Sequence, residues 1–326
     1  MKTLIGNTPM IQIKYRFQNK ENLVYIKLEQ YNLTGSIKDR IAWYILENAK
    51  KQGLLKKDTP IIEATSGNTG ISFAALGAKL GHPVYIFMPN WVSVERIELM
   101  KLYGAKITLV SKEEGGFEEC IKRADLLAEQ LNGYRPNQFS NTLNSECHYI
   151  YTGTEILNDL LGIELGGFVS GIGSGGTIMG IGKRLKEKYP TLVVAAVEPD
   201  KMPLLTGKEI IGNHKIEGIG DEFIPDLVDV NEIDYVFDIS DDDAMNMARI
   251  ISKSLGIGVG ISSGANMLGA IILKNKINKP VVTLFPDDNK KYLTTDLVDP
   301  INANPDYLSN QIQLLEYSLI IPRNMI

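Results

Sequence analysis

A chain of 326 residues, 44% hydrophobic and 22% charged, is long enough for two linked domains with substantial cores that need no covalent staples. A net charge of −5 without a lysine–arginine block leaves no electrostatic footprint for nucleic acid, and without about 18 uninterrupted apolar residues no membrane span is expected. The residues from Met1 to Gly6 form no apolar leader, and Cys120 and Cys147 follow neither paired nor metal-ligand spacing. The sequence therefore predicts free thiols in a reducing, cytoplasmic setting, with no disulfide framework and no metal site.

Short β-branched runs alternate with amphipathic segments. The pattern predicts a strand at 24–28, a helix at 37–52, a strand at 61–63, a helix at 69–80, a strand at 84–87, a helix near 94–102, a strand at 107–110 and a helix within 118–131. A polar, turn-rich stretch over 132–145 follows and marks the expected junction between a smaller domain, 1–145, and a larger one, 146–326. Beyond it come a helix near 149–161, a strand at 168–169, a helix at 177–187, a strand at 192–197 and a strand near 235–239. Helices near 241–255 and 264–273 and a strand at 281–285 complete the series. Such alternation predicts an α/β fold with parallel-rich sheets. The tail beyond Asp296 is asparagine-rich and then apolar from Leu314 to Ile321, suited to packing on the body or on a second subunit.

Three segments carry chemistry. Leu33-Thr34-Gly35-Ser36-Ile37-Lys38 feeds a small-residue turn into a helix with a lysine in its first turn. A helix N-terminus disfavours a protonated amine, so Lys38 suits Schiff-base formation, although a solvated helix-start lysine has the same sequence. Ala64-Thr65-Ser66-Gly67-Asn68-Thr69-Gly70 opens a helix directly after a strand. It reads either as a plain turn or as a loop whose amides and hydroxyls hold a carboxylate. Gly171-Ile172-Gly173-Ser174-Gly175-Gly176-Thr177 matches the dinucleotide-binding glycine pattern, and Glu198 lies roughly 20 residues on, where such folds place a ribose-binding acid. The same loop, with the Ser174 and Thr177 hydroxyls, equally suits one terminal phosphate.

Together these motifs resemble the cysteine synthase and cystathionine β-synthase family of fold type II enzymes dependent on pyridoxal 5′-phosphate. The resemblance runs from Leu4-Ile5-Gly6-Asn7-Thr8-Pro9 to Tyr292-Leu293-Thr294-Thr295. It includes Ser93-Val94-Glu95-Arg96, Gln138-Phe139, Gly218-Ile219-Gly220 and Gly260-Ile261-Ser262-Ser263-Gly264. It implies two α/β domains with the cofactor in the cleft between them, a segment near 8–34 crossing to the larger domain, and a homodimer. It further implies that Lys38 carries the cofactor and that Asn68 bonds its 3′-oxygen. Thr65, Ser66, Thr69 and Gln138 then surround a substrate carboxylate. Gly173, Ser174, Gly175, Gly176 and Thr177 hold the phosphate, and Ser262 faces the pyridine nitrogen.

The implied activity is β-elimination or β-replacement on a small amino acid through an aminoacrylate. It makes cysteine from O-acetylserine and sulfide, or releases sulfide from cysteine to leave serine. Condensation with homocysteine to cystathionine is the alternative within the family, and a non-catalytic PLP-binding or amino-acid-binding regulator the alternative outside catalysis. Trp91 stands in a loop that usually carries smaller residues, and Asp221-Glu222 follows Gly218-Ile219-Gly220. Cysteine synthases that resemble this chain tend to be uncharged at those two positions. Asp221 is thus either a base for water or a protonated thiol, or one of two acids that solvate a surface loop. No haem or adenosylmethionine control is expected.

Overall fold

The computed structural model describes residues 4–321; the outer limits of the two expected domains, residues 1 and 326, lie outside them. In chain order the elements begin with β1 (Met10–Phe17), β2 (Lys20–Leu28), α1 (Lys38–Lys51), β3 (Ile61–Ala64), α2 (Asn68–Leu80), β4 (Val84–Pro89), α3 (Val94–Leu102), β5 (Lys106–Val110) and α4 (Gly116–Leu131). There follow α5 (Leu143–Cys147), α6 (Gly153–Asp159), β6 (Gly167–Gly171), α7 (Gly176–Lys188), β7 (Val193–Pro199) and β8 (Tyr235–Ile239). Then come α8 (Asp241–Leu255), α9 (Ile261–Ile277), β9 (Val281–Phe285) and β10 (Ile312–Ile320).

Two sheets result. β3, β4 and β5 form a three-stranded parallel sheet. One face packs through Ile41, Ile45, Phe73, Leu76 and Met100 of α1–α3, and the other through Phe117, Cys120 and Ala124 of α4. The larger sheet has seven strands in the order β10-β1-β2-β9-β6-β7-β8. Its first two pairings are antiparallel and the rest parallel. α8 and α9 cover one face through Ala244, Met247, Ala265 and Leu268, and α7 covers the other through Ile178, Ile181 and Leu185. Strands buried on both faces read as unbroken apolar runs, and all five residues of β9 are buried.

Three departures from the sequence-based pattern have local causes. β1 was not expected, yet Ile11, Ile13, Tyr15 and Phe17 are buried and alternate with the more exposed Gln12, Lys14 and Arg16, which is a period-two strand signal. It turns into β2 through Gln18 and Asn19, both at positive φ (50° and 61°), as a two-residue hairpin requires. The apolar tail becomes β10, pairing antiparallel with β1 from Phe17↔Ile312 to Met10↔Ile320. The single helix expected at 149–161 is instead α5, a π turn at His148–Thr152 and then α6. α7 crosses this segment so closely that a Cβ on Gly180 would collide with the Ser145 carbonyl and the His148 side chain.

Candidate active site

The loops leaving the carboxyl ends of β3, β6 and β9 open toward one cleft, the place where α/β sheets bind ligands. One cavity there is lined by Lys38, Thr65, Ser66, Asn68, Thr69, Gln138, Gly173, Ser174, Gly175, Thr177, Asp221 and Ser262. Residues separated by more than 200 positions in sequence thus meet. Gly176 does not line the cavity. It begins α7 and stands against Asn144, whose amide oxygen occupies the volume a Cβ at that position would need.

Lys38 sits at the first position of α1, with the turn before it tied down on several sides. Asp39 accepts hydrogen bonds from the Thr34 amide (2.6 Å), the Thr34 hydroxyl (2.6 Å) and the Ser72 hydroxyl (2.7 Å). The Ile37 amide donates to the Pro286 carbonyl at 2.9 Å, and Lys291 Nζ donates to the Gly35 carbonyl at 2.7 Å. Burial lowers the Lys38 pKa below its ordinary value, with Asp221 and Asp287 opposing the shift. The lysine is therefore easier to deprotonate than a solvated one, as a Schiff-base nucleophile must be.

In the loop after β3, the Thr69 hydroxyl donates to Gln138 Oε1 at 2.6 Å, and Gln138 Nε2 reaches the Ala64 carbonyl at 3.3 Å. Asn68 Nδ2 donates to Asp287 Oδ2 at 2.8 Å, while its buried amide oxygen has no partner. Among the described residues, one side-chain amide proton and the side-chain oxygen of Asn68 thus remain uncommitted. The glycine loop after β6 meets α5 and the π turn. Asn144 Nδ2 donates to Ser174 Oγ at 2.8 Å, and His148 Nε2 lies 3.3 Å from Thr177 Oγ1. Burial, with Arg40 and Lys38 nearby, pushes the His148 pKa well below its ordinary value, so the imidazole is neutral. Gly175 has a φ of 82°, which keeps a side chain out of the loop where it enters α7.

Asp221 hangs from the turn after Gly220 and takes no side-chain hydrogen bond among the described residues. Burial raises its pKa to about 6, opposed by Lys38 and assisted by Glu222. It also lines an adjoining chamber of about 340 Å³ bounded by Trp91, Phe117, His214, Glu217 and Glu222. Asp221 therefore stands at the boundary between the inner cavity and this outer space.

Sequence reasoning missed Asn144, His148 and Asp287. Asp287 carried a usable signal, since it follows a buried parallel strand at its carboxyl end. The other two carried none, because only the crossing of α5 and α7 brings them to the loop.

The arrangement suits a planar, phosphate-bearing carbonyl cofactor. The first turn of α7 contains no acidic residue, its leading amides lack intrahelical partners, and two hydroxyls flank it. Across the cavity stands an amine of lowered basicity. A second nucleotide phosphate finds no matching feature, since Glu198, the expected ribose acid of a dinucleotide site, is committed to the Leu205 and Thr206 amides at 2.8 and 3.0 Å. Among the described residues no group of metal-ligating side chains forms.

Fold and site together are those of an α/β enzyme in which a buried lysine of lowered basicity and a glycine loop at a helix start line one cavity. A family model described as "pyridoxal-phosphate dependent enzyme" matches residues 1–287. The chain belongs to that family, and its cofactor is pyridoxal 5′-phosphate. A cysteine synthase of Staphylococcus aureus is 39% identical over 296 residues, covering 90% of this chain and 95% of that one. Cysteine synthase B of Campylobacter jejuni is 42% identical over 295 residues, covering 90% and 96%. Among solved structures, a hydrogen sulfide-producing enzyme from Fusobacterium nucleatum superposes with a TM-score of 0.93 at 49% identity, covering 97% of this chain and 96% of that one. An aspartate-to-asparagine mutant of that enzyme is complexed with an α-aminoacrylate intermediate.

Proposed function

We propose that this enzyme releases sulfide from L-cysteine and adds water at the β-carbon, leaving L-serine, with Asp221 as the base for the water. The observation that carries the reading is the placement of Asp221. It is a carboxylate of pKa about 6 shared between the inner cavity and the outer chamber, within electrostatic reach of Lys38. Hydrosulfide is nucleophilic at neutral pH without help, whereas water needs a positioned base, a contribution of about 10²–10⁴-fold.

Bound pyridoxal phosphate supplies the electron sink that lets the α-proton and the β-substituent leave. The Lys38 amine would hold the cofactor and would serve as the base that takes the α-proton at Nζ. The hydroxyls of Thr65, Ser66 and Thr69 and the amide of Gln138 orient the substrate carboxylate. The α7 amides with Ser174 and Thr177 would hold the phosphate, and the second amide proton of Asn68 would reach the 3′-oxygen. Ser262 would face the pyridine nitrogen, where a neutral hydroxyl, unlike a carboxylate, would not hold a proton on it. Asp221 Oδ takes a proton from the incoming water.

Cysteine synthesis from O-acetylserine and sulfide is the second reading, favoured by the likeness to cysteine synthases at 39% and 42% identity. Under either reading the chain divides near residue 145 into a smaller unit bearing Lys38 and a larger one bearing the phosphate loop. The separate cores of the two sheets support that division. It acts as a homodimer in the cytoplasm, a compartment consistent with two buried, unpaired thiols.

The deciding experiment is incubation with cysteine in ¹⁸O-labelled water and, separately, with O-acetylserine plus sulfide, with products identified by mass. Labelled serine is expected from the wild type. Asp221→Asn should lose most labelled serine yet keep addition of an already ionised thiol. Wild-type serine formation by that variant would remove Asp221 from the mechanism.

A further inference from the structure

Three segments meet around one guanidinium that does not line the substrate cavity. Arg96, on α3, is 1% exposed. It ion-pairs with Glu217 and donates to Ser93 Oγ at 2.8 Å, whose hydroxyl donates in turn to the Lys291 carbonyl at 2.8 Å. Its guanidinium carbon lies 4.5 Å from the Tyr292 ring centre, and Nη2 is 3.7 Å from Asp287. Its aliphatic stem crosses Gly67 where no Cβ could fit.

Each partner leads to a functional segment. Gly67 directly precedes Asn68, and Asp287 is the acceptor that orients the Asn68 amide. Glu217 lies four residues before Asp221 on the same turn. Because Asp221 takes no side-chain hydrogen bond among the described residues, its position depends on the backbone that carries it. That backbone is held by the Gly220 amide on the Ile172 carbonyl at 2.8 Å, by His214 Nε2 against the Gly220 carbonyl at 2.6 Å, and by the Arg96–Glu217 pair. Removing the cation would strip the half-buried Glu217 of its ion pair and leave the buried Asp287 charge on the hydrogen bonds from Asn68 and Tyr292, both 2.8 Å.

We propose that the Arg96–Glu217 pair is a clasp that sets Asp221 over Lys38 and, through Gly67 and Asp287, aims the Asn68 amide. Arg96 is thus a positioning residue for both loops. The part of this inference that concerns Asp221 rests on its assignment as the base for water.

The test uses the cofactor-loaded protein with Glu217→Gln and Arg96→Lys. It reads amide hydrogen exchange, cofactor retention by absorbance, and steady-state conversion of cysteine. Glu217→Gln should accelerate exchange at 215–222 only, leave cofactor affinity unchanged, and lower kcat for serine formation on the order of 100-fold while KM for cysteine holds. Arg96→Lys should also accelerate exchange at 66–70 and weaken cofactor retention, because an ammonium cannot span both carboxylates. Unchanged exchange at 215–222 in Glu217→Gln, or a uniform rise across the chain, overturns the clasp. Loosening of 215–222 as expected, with no serine made even by the wild type, upholds the clasp and removes only the role given to Asp221.

Discussion

Lys38 and Asp221 illustrate how a few side chains acquire abnormal acidity from their surroundings. Burial lowers the lysine pKa and raises that of the aspartate to about 6, and each opposes the other's shift. When Lys38 no longer bears a charge, Asp221 loses the influence that favours its ionised form, so serine formation should show an acid limb at or above pH 6. A carboxylate whose folded pKa lies above its ordinary value of 3.8 opposes folding once ionised. That cost accrues as pH rises from about 4 to about 6 and stays constant above. Asp221→Asn should therefore make the cofactor-free protein more stable by about 1–2 kcal/mol at pH 7.5. Thermal melts from pH 4 to 8 check this: the advantage should vanish toward pH 4, and equal melting at pH 7.5 would show that Asp221 is already well solvated. At this scale the sequence displayed much of the candidate site, because Lys38, Asn68 and the glycine loop, which line one cavity, announce themselves by residue type and by position at helix starts. Asp287 and Asn144 do not, since an ordinary acid and an ordinary amide become part of the site only through what they touch.

At the scale of elements, the start of α7 carries the proposed phosphate site. Gly175 bends into it at a φ of 82°, and Gly176 lets the Asn144 amide approach so that its Nδ2 holds Ser174. Gly176→Ala should push Asn144 aside, costing about 1–3 kcal/mol of overpacking and detaching Ser174 from its support. Cofactor release followed by absorbance should quicken, while far-ultraviolet circular dichroism stays that of the wild type. Unaltered retention would mean that Asn144 does not brace the loop. Periodicity located most helices and strands because apolar faces repeat along them. It found the helical segment at 149–161 but not its division, since a π turn breaks the 3.6-residue repeat, and it missed β10, whose burial alternates only at Ile312 and Leu314 before becoming largely exposed. A half-exposed edge strand leaves little apolar pattern for a sequence to display.

Over the whole molecule, the cavity draws on both sheets, so filling it should couple them. A ligand bound only by the folded state stabilises it by RT ln(1 + [L]/Kd), about 4 kcal/mol at a thousandfold excess over Kd. Removal of pyridoxal phosphate should lower the melting temperature and increase exchange selectively in the loops after β3 and β6 and in 215–222. Melting that is identical with and without the cofactor would contradict a site spanning the two sheets. What the sequence by itself determined was the α/β class, the lysine at a helix start, and two glycine-bearing loops suited to anions. These follow from local periodicity and from backbone conformations that few residue types allow. Whether the glycine loop held one phosphate or a dinucleotide was not decided by its pattern alone; the commitment of Glu198 to its own loop bears on that, and it is a tertiary fact. Only the folded chain placed Asp221 beside Lys38 and joined Arg96 to Glu217. The two pairs, one sharing a cavity and the other in direct contact, link residues 183 and 121 positions apart, and no local preference encodes which charges will share a desolvated space.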